Sequence, residues 1–154
     1  MTLAAAGLMF RAAIGKGGVS YRKREGDGTT PAGLLALRRV LYRADRIPPP
    51  ACAVPREPLS PDDGWCDDPL YPDYNRMVSL PHEGRHERLW RADAAYDLVG
   101  VLGWNDNPVV RGAGSAIFLH VARPDYAPTD GCIALALPDL LVLLKAGLEA
   151  VMVQ

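Results

Sequence analysis

Residues 116–137 read AIFLHVARPDYAPTDGCIALAL: two apolar runs with a loop between them that Pro124 and Pro128 interrupt. Ala116 to Ala122 and Cys132 to Leu137 each have the length and residue types of a buried strand. The first run carries a histidine near its end, His120, and a Thr-Asp-Gly-Cys step, Thr129 to Cys132, leads into the second. If the two runs pair across the loop, His120 and Cys132 come together at one end of a sheet. This segment points to a β-rich fold with a Cys–His pair at a strand end.

The flanking sequence extends the same pattern. Upstream, Tyr96 to Leu102 (YDLVGVL) and Leu34 to Tyr42 read as further strands. The N-terminal MTLAAAGLMFRAAIG reads as one strand, with Leu8, Phe10 and Ala12 alternating against Met9, Arg11 and Ala13. Glu25-Gly26-Asp27-Gly28 spells a tight turn with left-handed backbone. Downstream, Pro138 suits the first turn of a helix running to about Gly147, with Asp139 and Lys145 placed to complement its dipole. Leu148 to Val153 reads as a closing strand. Residues 45–75, rich in Pro and Asp, show neither strand nor helical period, and a stretch of that length reads as a functional lid or rim loop. The fold expected is mostly β with one or two short helices, in one domain spanning 1–154.

Composition narrows the function. The 154 residues hold 15 glycines and 14 prolines, so turns and short elements are favoured over a helical bundle. Seventeen Lys and Arg against 18 Asp and Glu give a net charge of −1, and no basic face or tail suggests a nucleic-acid partner. Three cysteines, Cys52, Cys66 and Cys132, are too few and odd in number for a disulfide scaffold, which leaves at least one free thiol. No membrane span is expected, because Pro138, Asp139 and Lys145 interrupt the most apolar segment. The N-terminus lacks a basic n-region and Arg11 breaks its apolar run, so no export signal is visible.

A Cys–His pair suits nucleophilic acyl transfer. His120 takes the thiol proton, and the thiolate of Cys132 attacks a carbonyl. Gly131 allows close backbone approach, so its N–H and that of Cys132 are candidate oxyanion donors. Thr129 either hydrogen-bonds His120 or a substrate carbonyl, or is a turn residue. Trp65, Tyr74 and Asn75 either wall a peptide groove or pack the long loop down. Arg111 and Arg123 either meet a substrate carboxylate or are simply solvated.

His120, Thr129, Gly131, Cys132 and Ile133 resemble the active-site motif of the YkuD-type L,D-transpeptidases, a histidine followed after a loop by [Ser/Thr]-x-Gly-Cys-[Ile/Val]. Glu25 to Gly33 (EGDGTTPAG) is similar to the family's Gly- and Thr-Pro-rich segment, and Gly114 to His120 to its strand into the histidine. The resemblance runs from about Gly15 to Leu144. It implies a mixed β-sandwich of the YkuD kind and a cysteine peptidyltransferase of the bacterial cell wall with no cofactor. The donor would be a peptidoglycan stem tetrapeptide, cleaved before its terminal D-alanine through an acyl-enzyme on Cys132. An amine acceptor would give a 3→3 cross-link, and water would make the protein an L,D-carboxypeptidase. Carbapenem β-lactams would acylate the cysteine, and the setting would be the cell envelope.

Three departures bear on specificity. Asp130 stands where many members have His, and its charge at ~8 Å from the thiolate, with an effective dielectric of ~20, would cost about 2 kcal/mol unless it faces solvent or pairs with Arg123. Asp130 is also a candidate for binding a substrate amine. Ala134 replaces an arginine, and the loop from His120 to Cys132 is short.

Two readings compete. His82-Glu83-Gly84-Arg85-His86 matches H-E-x-x-H, which on a helix sets two imidazoles on one face for zinc with Glu83 as base. Pro81, Gly84 and the surrounding charges instead favour a polar loop or an exposed helical turn. The third reading is a catalytically silent wall- or peptide-binding module, favoured by Asp130 and Ala134 and opposed by the intact His120, Gly131 and Cys132.

Overall fold

Strand alternation sorts the apolar residues of the central strands into two layers, and both layers are filled. The computed structural model describes residues 1–5 and 7–154. In chain order the elements are β1 (Thr2–Ala5), β2 (Leu8–Ala13), β3 (Val19–Ser20), β4 (Thr30–Pro31), β5 (Gly33–Tyr42), β6 (Arg56–Pro58) and β7 (Asp63–Cys66). They continue as β8 (Arg76–Ser79), β9 (His86–Arg88), β10 (Leu98–Leu102), β11 (Phe118–Val121), β12 (Ile133–Leu135), α1 (Leu137–Lys145) and β13 (Ala150–Val153). The fold is mostly β, as the residue pattern predicts, and its main sheet is mixed, as the family resemblance implies.

The main sheet runs β1-β2-β12-β11-β10-β5-β13, with β6 also paired to β5. Its pairs are antiparallel except β11–β12 and β5–β6, which are parallel. One face carries Leu37, Val40, Leu98, Leu119, Ile133 and Leu135, covered by Leu140, Leu143 and Leu144 of α1. The other carries Leu41, Val99, Val101, Phe118 and Cys132, covered by Leu59, Trp65, Leu89 and Tyr96. Trp65 and Leu89 come from the small sheet β8-β7-β9 and its exit, so this second layer lies against the face that holds the cysteine.

Several expectations need revision. The N-terminal strand is instead an antiparallel hairpin, β1 on β2, reversing around Gly7; Ala6 lies outside the described residues. Phe10 and Ala12 point inward as the alternation requires, but Leu8 is exposed at the hairpin end. Residues 45–75 are not bare loop. They contain β6 and β7, each short enough that three or four residues show no period. β10 begins at Leu98 and β11 at Phe118, so Tyr96 and Ala116 precede their strands. The turn at Gly26 and Gly28 has positive φ at both, and α1 starts with Pro in its first turn, as read from the sequence.

The two faces of β5 and β11 predict different sensitivities. Leu119→Ala, at a site 1% exposed, should cost about 2–5 kcal/mol in urea denaturation. Leu34→Ala, 65% exposed on β5, should change stability by less than about 0.5 kcal/mol in the same assay.

Candidate active site

Side chains two apart on a strand share a face. Phe118 and His120 therefore point together from β11, and Cys132 and Ala134 together from β12. The parallel register sets Leu119 against Ile133 and His120 against Ala134. Cys132 thus stands beside Phe118, diagonal to His120, on the face covered by the second core layer.

The thiol of Cys132 is buried. Its Sγ donates to the carbonyl of Ala116 at 3.2 Å and accepts from the N–H of Phe118 at 3.4 Å. Burial pushes the thiol up to about 12, and the charge of Glu87 adds to this, while the Phe118 N–H and Lys23 oppose it. The resting group is a neutral thiol.

Ala116 presents its carbonyl because its backbone is left-handed, with φ of 53°. Asn75 holds that conformation. Its Oδ1 accepts from Ala116 N–H and from Trp65 Nε1, each at 3.1 Å. Its Nδ2 donates to the carbonyls of Trp104 at 2.9 Å and Asn105 at 2.7 Å. Trp65 packs edge-on against Phe118, with ring centroids 5.1 Å apart. Tyr74 donates to Glu25 at 2.6 Å and accepts the Gly114 N–H at 3.0 Å. Trp65, Tyr74 and Asn75 are all buried and none lines a cavity that reaches Cys132, while Trp65 and Asn75 line a separate cavity of about 620 Å³.

His120 donates from Nδ1 to the carbonyl of Val121 at 3.0 Å, which assigns the lone pair to Nε2. Burial lowers its pKa against the effect of the Val121 bond, so the ring is neutral near pH 7. Tyr96 packs edge-on against it at 5.3 Å and donates its hydroxyl to Glu87 of β9. Burial raises the carboxyl of Glu87 although the Tyr96 bond opposes the shift.

Thr129 is a turn residue. Its hydroxyl donates to the carbonyl of Cys132 at 2.6 Å and accepts the Gly131 N–H at 3.1 Å, rather than bonding His120. Of the two expected oxyanion donors, Gly131 N–H is therefore already engaged. Gly131 has φ of 145°, and a Cβ there would stand 2.8 Å from the carbonyl of Thr29, so no side chain fits. Backbone bonds from Lys16 to Thr129 (2.8 Å) and from Thr129 to Ile14 (2.9 Å) tie the turn to the exit of β2. Asp130 is 89% exposed at its side chain and pairs with Lys16 at 2.8 Å, not with Arg123.

Two cavities meet at Cys132 and Asp130, which line both. One, of about 300 Å³, is walled by Lys23, Glu25, Asp67, Arg85 and Glu87. The other, of about 160 Å³, is walled by Arg91, Tyr96, His120, Arg123 and Ala134. Arg123 stands on the rim beside His120; Arg111 is exposed and lines neither. Sequence reading missed Lys23, Glu87, Arg91 and Tyr96. The one available signal was Glu87 itself, an acid facing inward from the short strand HER.

The H-E-x-x-H stretch is not helical. Residues 82–85 are loop and His86 opens β9. His82 Nδ1 accepts the Gly84 N–H at 3.1 Å, its Nε2 contacts Asp73 at 3.2 Å, and His86 Nδ1 donates to the Gly84 carbonyl at 2.8 Å. Among the described residues, no three His, Cys, Asp or Glu side chains gather as a ligand set for a metal ion. The spacing that serves zinc on a helix does not serve it here.

A family model described as the YkuD L,D-transpeptidase catalytic domain matches residues 5–150. Comparison with the curated proteins and with the solved structures finds no match.

Two outcomes test the scaffold. Asn75→Ala strips partners from Trp65 Nε1 and Ala116 N–H and should lower the unfolding free energy by about 2–4 kcal/mol in urea denaturation. The depressed His120 contributes stability that is full above the ordinary histidine value of about 6.5 and is lost as pH falls from there toward its folded value. Native protein should therefore lose stability on acidification below that point more steeply than His120→Gln, read from denaturation midpoints at stepped pH.

Proposed function

The chain belongs to the YkuD family of L,D-transpeptidase catalytic domains, and from that premise we propose that it is a cysteine peptidyltransferase acting on peptidoglycan stem peptides in the cell envelope. One observation carries the reading: a buried thiol at the junction of two cavities, with an imidazole on the same face whose free nitrogen is Nε2. A silent binding module has no use for that arrangement.

In this reading the carbonyl before the terminal D-alanine of a stem tetrapeptide is delivered to Cys132. His120 Nε2 removes the thiol proton, Sγ bonds to the carbonyl carbon, and the Cys132 N–H faces the oxyanion. Collapse breaks the C–N bond, and the proton on His120 passes to the departing D-alanine amine. An acceptor amine then attacks the thioester carbonyl as His120 takes its proton; the C–S bond breaks, the proton passes from His120 back to Sγ, and the new amide is a 3→3 cross-link. Water in the same place gives carboxypeptidase activity. Both the leaving amine and the acceptor must stand within reach of His120, so they occupy the smaller cavity, where Arg91 and Arg123 offer partners for a carboxylate. The donor's side chain then lies in the larger one. Among the described residues no helix is long and apolar enough to cross a membrane.

The resting thiol gives this reading a particular form. With its thiol held neutral by burial, Cys132 loses its proton as it attacks, so the proton transfer to His120 belongs to the acylation step. Incubation with a carbapenem should give one covalent adduct by intact-mass measurement, absent from Cys132→Ala. His120→Ala should acylate about a hundredfold to ten-thousandfold more slowly. The acid limb of the acylation rate should fall below the ordinary histidine value, because the base must be neutral. An adduct on Cys132→Ala, or none on the native protein, would overturn the assignment.

A further inference from the structure

Two cationic side chains are buried among the described residues, Lys23 and Arg43. Arg43 has an evident structural role: it pairs with Asp45 at 2.8 Å, donates to the carbonyl of Arg91 at 2.7 Å and lies over the ring of Trp90. Lys23 has a different setting. It hangs in the connection between β3 and β4, its side chain is 3% exposed, and it walls the larger cavity together with Cys132. Its Nζ donates to Asp27 Oδ1 at 2.6 Å and to the carbonyl of Arg24 at 3.2 Å, two of the three bonds an ammonium offers. Nζ also stands 3.5 Å from the point a Cβ on Gly131 would occupy, one residue before the nucleophile. A buried ion pair adds little net stability compared with an apolar pair of the same shape, so packing alone does not account for this lysine.

The surroundings of Sγ explain what a cation there does. In the resting state the thiol points its proton at the Ala116 carbonyl. Once that proton leaves, the same carbonyl oxygen repels the sulfur, and only the Phe118 N–H remains as a bonded donor. Glu87 from β9 and Asp130 from the turn add negative charge. Within the larger cavity Glu25 and Asp67 are acidic, and Arg85 is already paired to Asp67 at 3.0 Å. On the other side Arg91 is paired to Asp93 at 2.6 Å, Tyr96 is tied to Glu87, and His120 is the base itself. Arg123 is exposed on the rim. Lys23 is the buried cation that the fold brings to the side of the sulfur away from His120.

Resting on Cys132 as the nucleophile, we propose that Lys23 is a positioning residue whose ammonium, locked by Asp27, stabilises the Cys132 thiolate and draws it off the Ala116 carbonyl toward the cavity. Asp27 is the lock. Its Oδ1 also accepts the Thr29 N–H at 2.8 Å and Oδ2 the Arg24 N–H at 2.7 Å, so the carboxylate cannot follow the lysine. Burial works against the ionised carboxyl, but Lys23 and those N–H groups outweigh it and hold Asp27 well below the usual carboxylate range.

The test is the rate of iodoacetamide alkylation at Cys132, resolved from Cys52 and Cys66 by peptide mapping, between about pH 7 and 10. Lys23→Met should displace the profile upward by about one pH unit, a roughly tenfold slower reaction at a fixed pH below the thiol's ionisation. Lys23→Arg should stay near the native profile. Superimposed profiles for Lys23→Met and native protein would overturn the proposal, as would Lys23→Arg behaving like Lys23→Met, since shape rather than charge would then matter. Should Lys23→Met fail to fold by circular dichroism, Lys23→Gln, which keeps a polar group to bond Asp27 but carries no charge, takes its place with the same upward displacement expected. No peptidoglycan or β-lactam enters this assay. A protein that shows the lysine dependence but forms no carbapenem adduct therefore loses the transpeptidase reading and keeps this one.

Discussion

The parallel pairing of β11 with β12 is the constraint on which the site depends. Leu119 opposite Ile133 and His120 opposite Ala134 fix which side chains share a face. Leu119, Ile133 and Leu135 then fill one core layer, while Phe118, His120 and Cys132 are left to the other. Slipping the pairing by one residue would send the cysteine into the layer under α1 and put Ile133 where the thiol belongs. The apolar pattern of β12 forbids that slip, because it would exchange Ile133 and Leu135 for a thiol and an alanine in the layer under α1. The same hydrophobic burial that stabilises the sheet therefore aligns Cys132 with His120.

Register alone does not orient the sulfur. That task falls to segments that are irregular and distant in sequence. Asn75, from the connection into β8, holds Ala116 left-handed and so aims a carbonyl at Sγ. Thr129 closes the turn before the cysteine and uses the Gly131 N–H to do so. The result is a thiol parked in a neutral, hydrogen-bonded state. Such a state suits a cysteine that is to react with a bound acyl donor and not with passing oxidants, because the reactive species is the thiolate.

These contributions divide by their range in sequence. The strand AIFLHVA, the step Thr-Asp-Gly-Cys and the helix after Pro138 were legible because each is local: periodicity, a turn residue, a cap. β6 and β7 were hidden because strands of three and four residues carry no period, and their stability comes from partners far away in the chain. Trp65, Tyr74 and Asn75 stand out in the sequence as a group, but composition cannot separate a groove wall from a buried buttress. Both need aromatics and amides; only the hydrogen bonds to Ala116 and Gly114 tell them apart. Lys23 could not be found by inspection at all, since a lysine in a Gly- and Asp-rich turn is normally solvated, and its burial is a property of the β3–β4 connection folding over the cysteine turn.

The aspartate that replaces the family's histidine before Gly131 shows how local charge and global charge differ. Read from sequence, Asp130 opposes a thiolate two residues away. In the folded chain its carboxylate reaches outward to Lys16, where exposure and salt screen both partners. The anion that bears most on the sulfur is Glu87, which sequence places forty-five residues earlier on β9, because it is half-buried and water screens it less than it screens Asp130. Burial ranks the charges, not proximity along the chain. By the same criterion a buried ammonium on the opposite wall outweighs an exposed arginine on the rim, and the electrostatic character of the site is set by Glu87 and Lys23, one on each side of the balance.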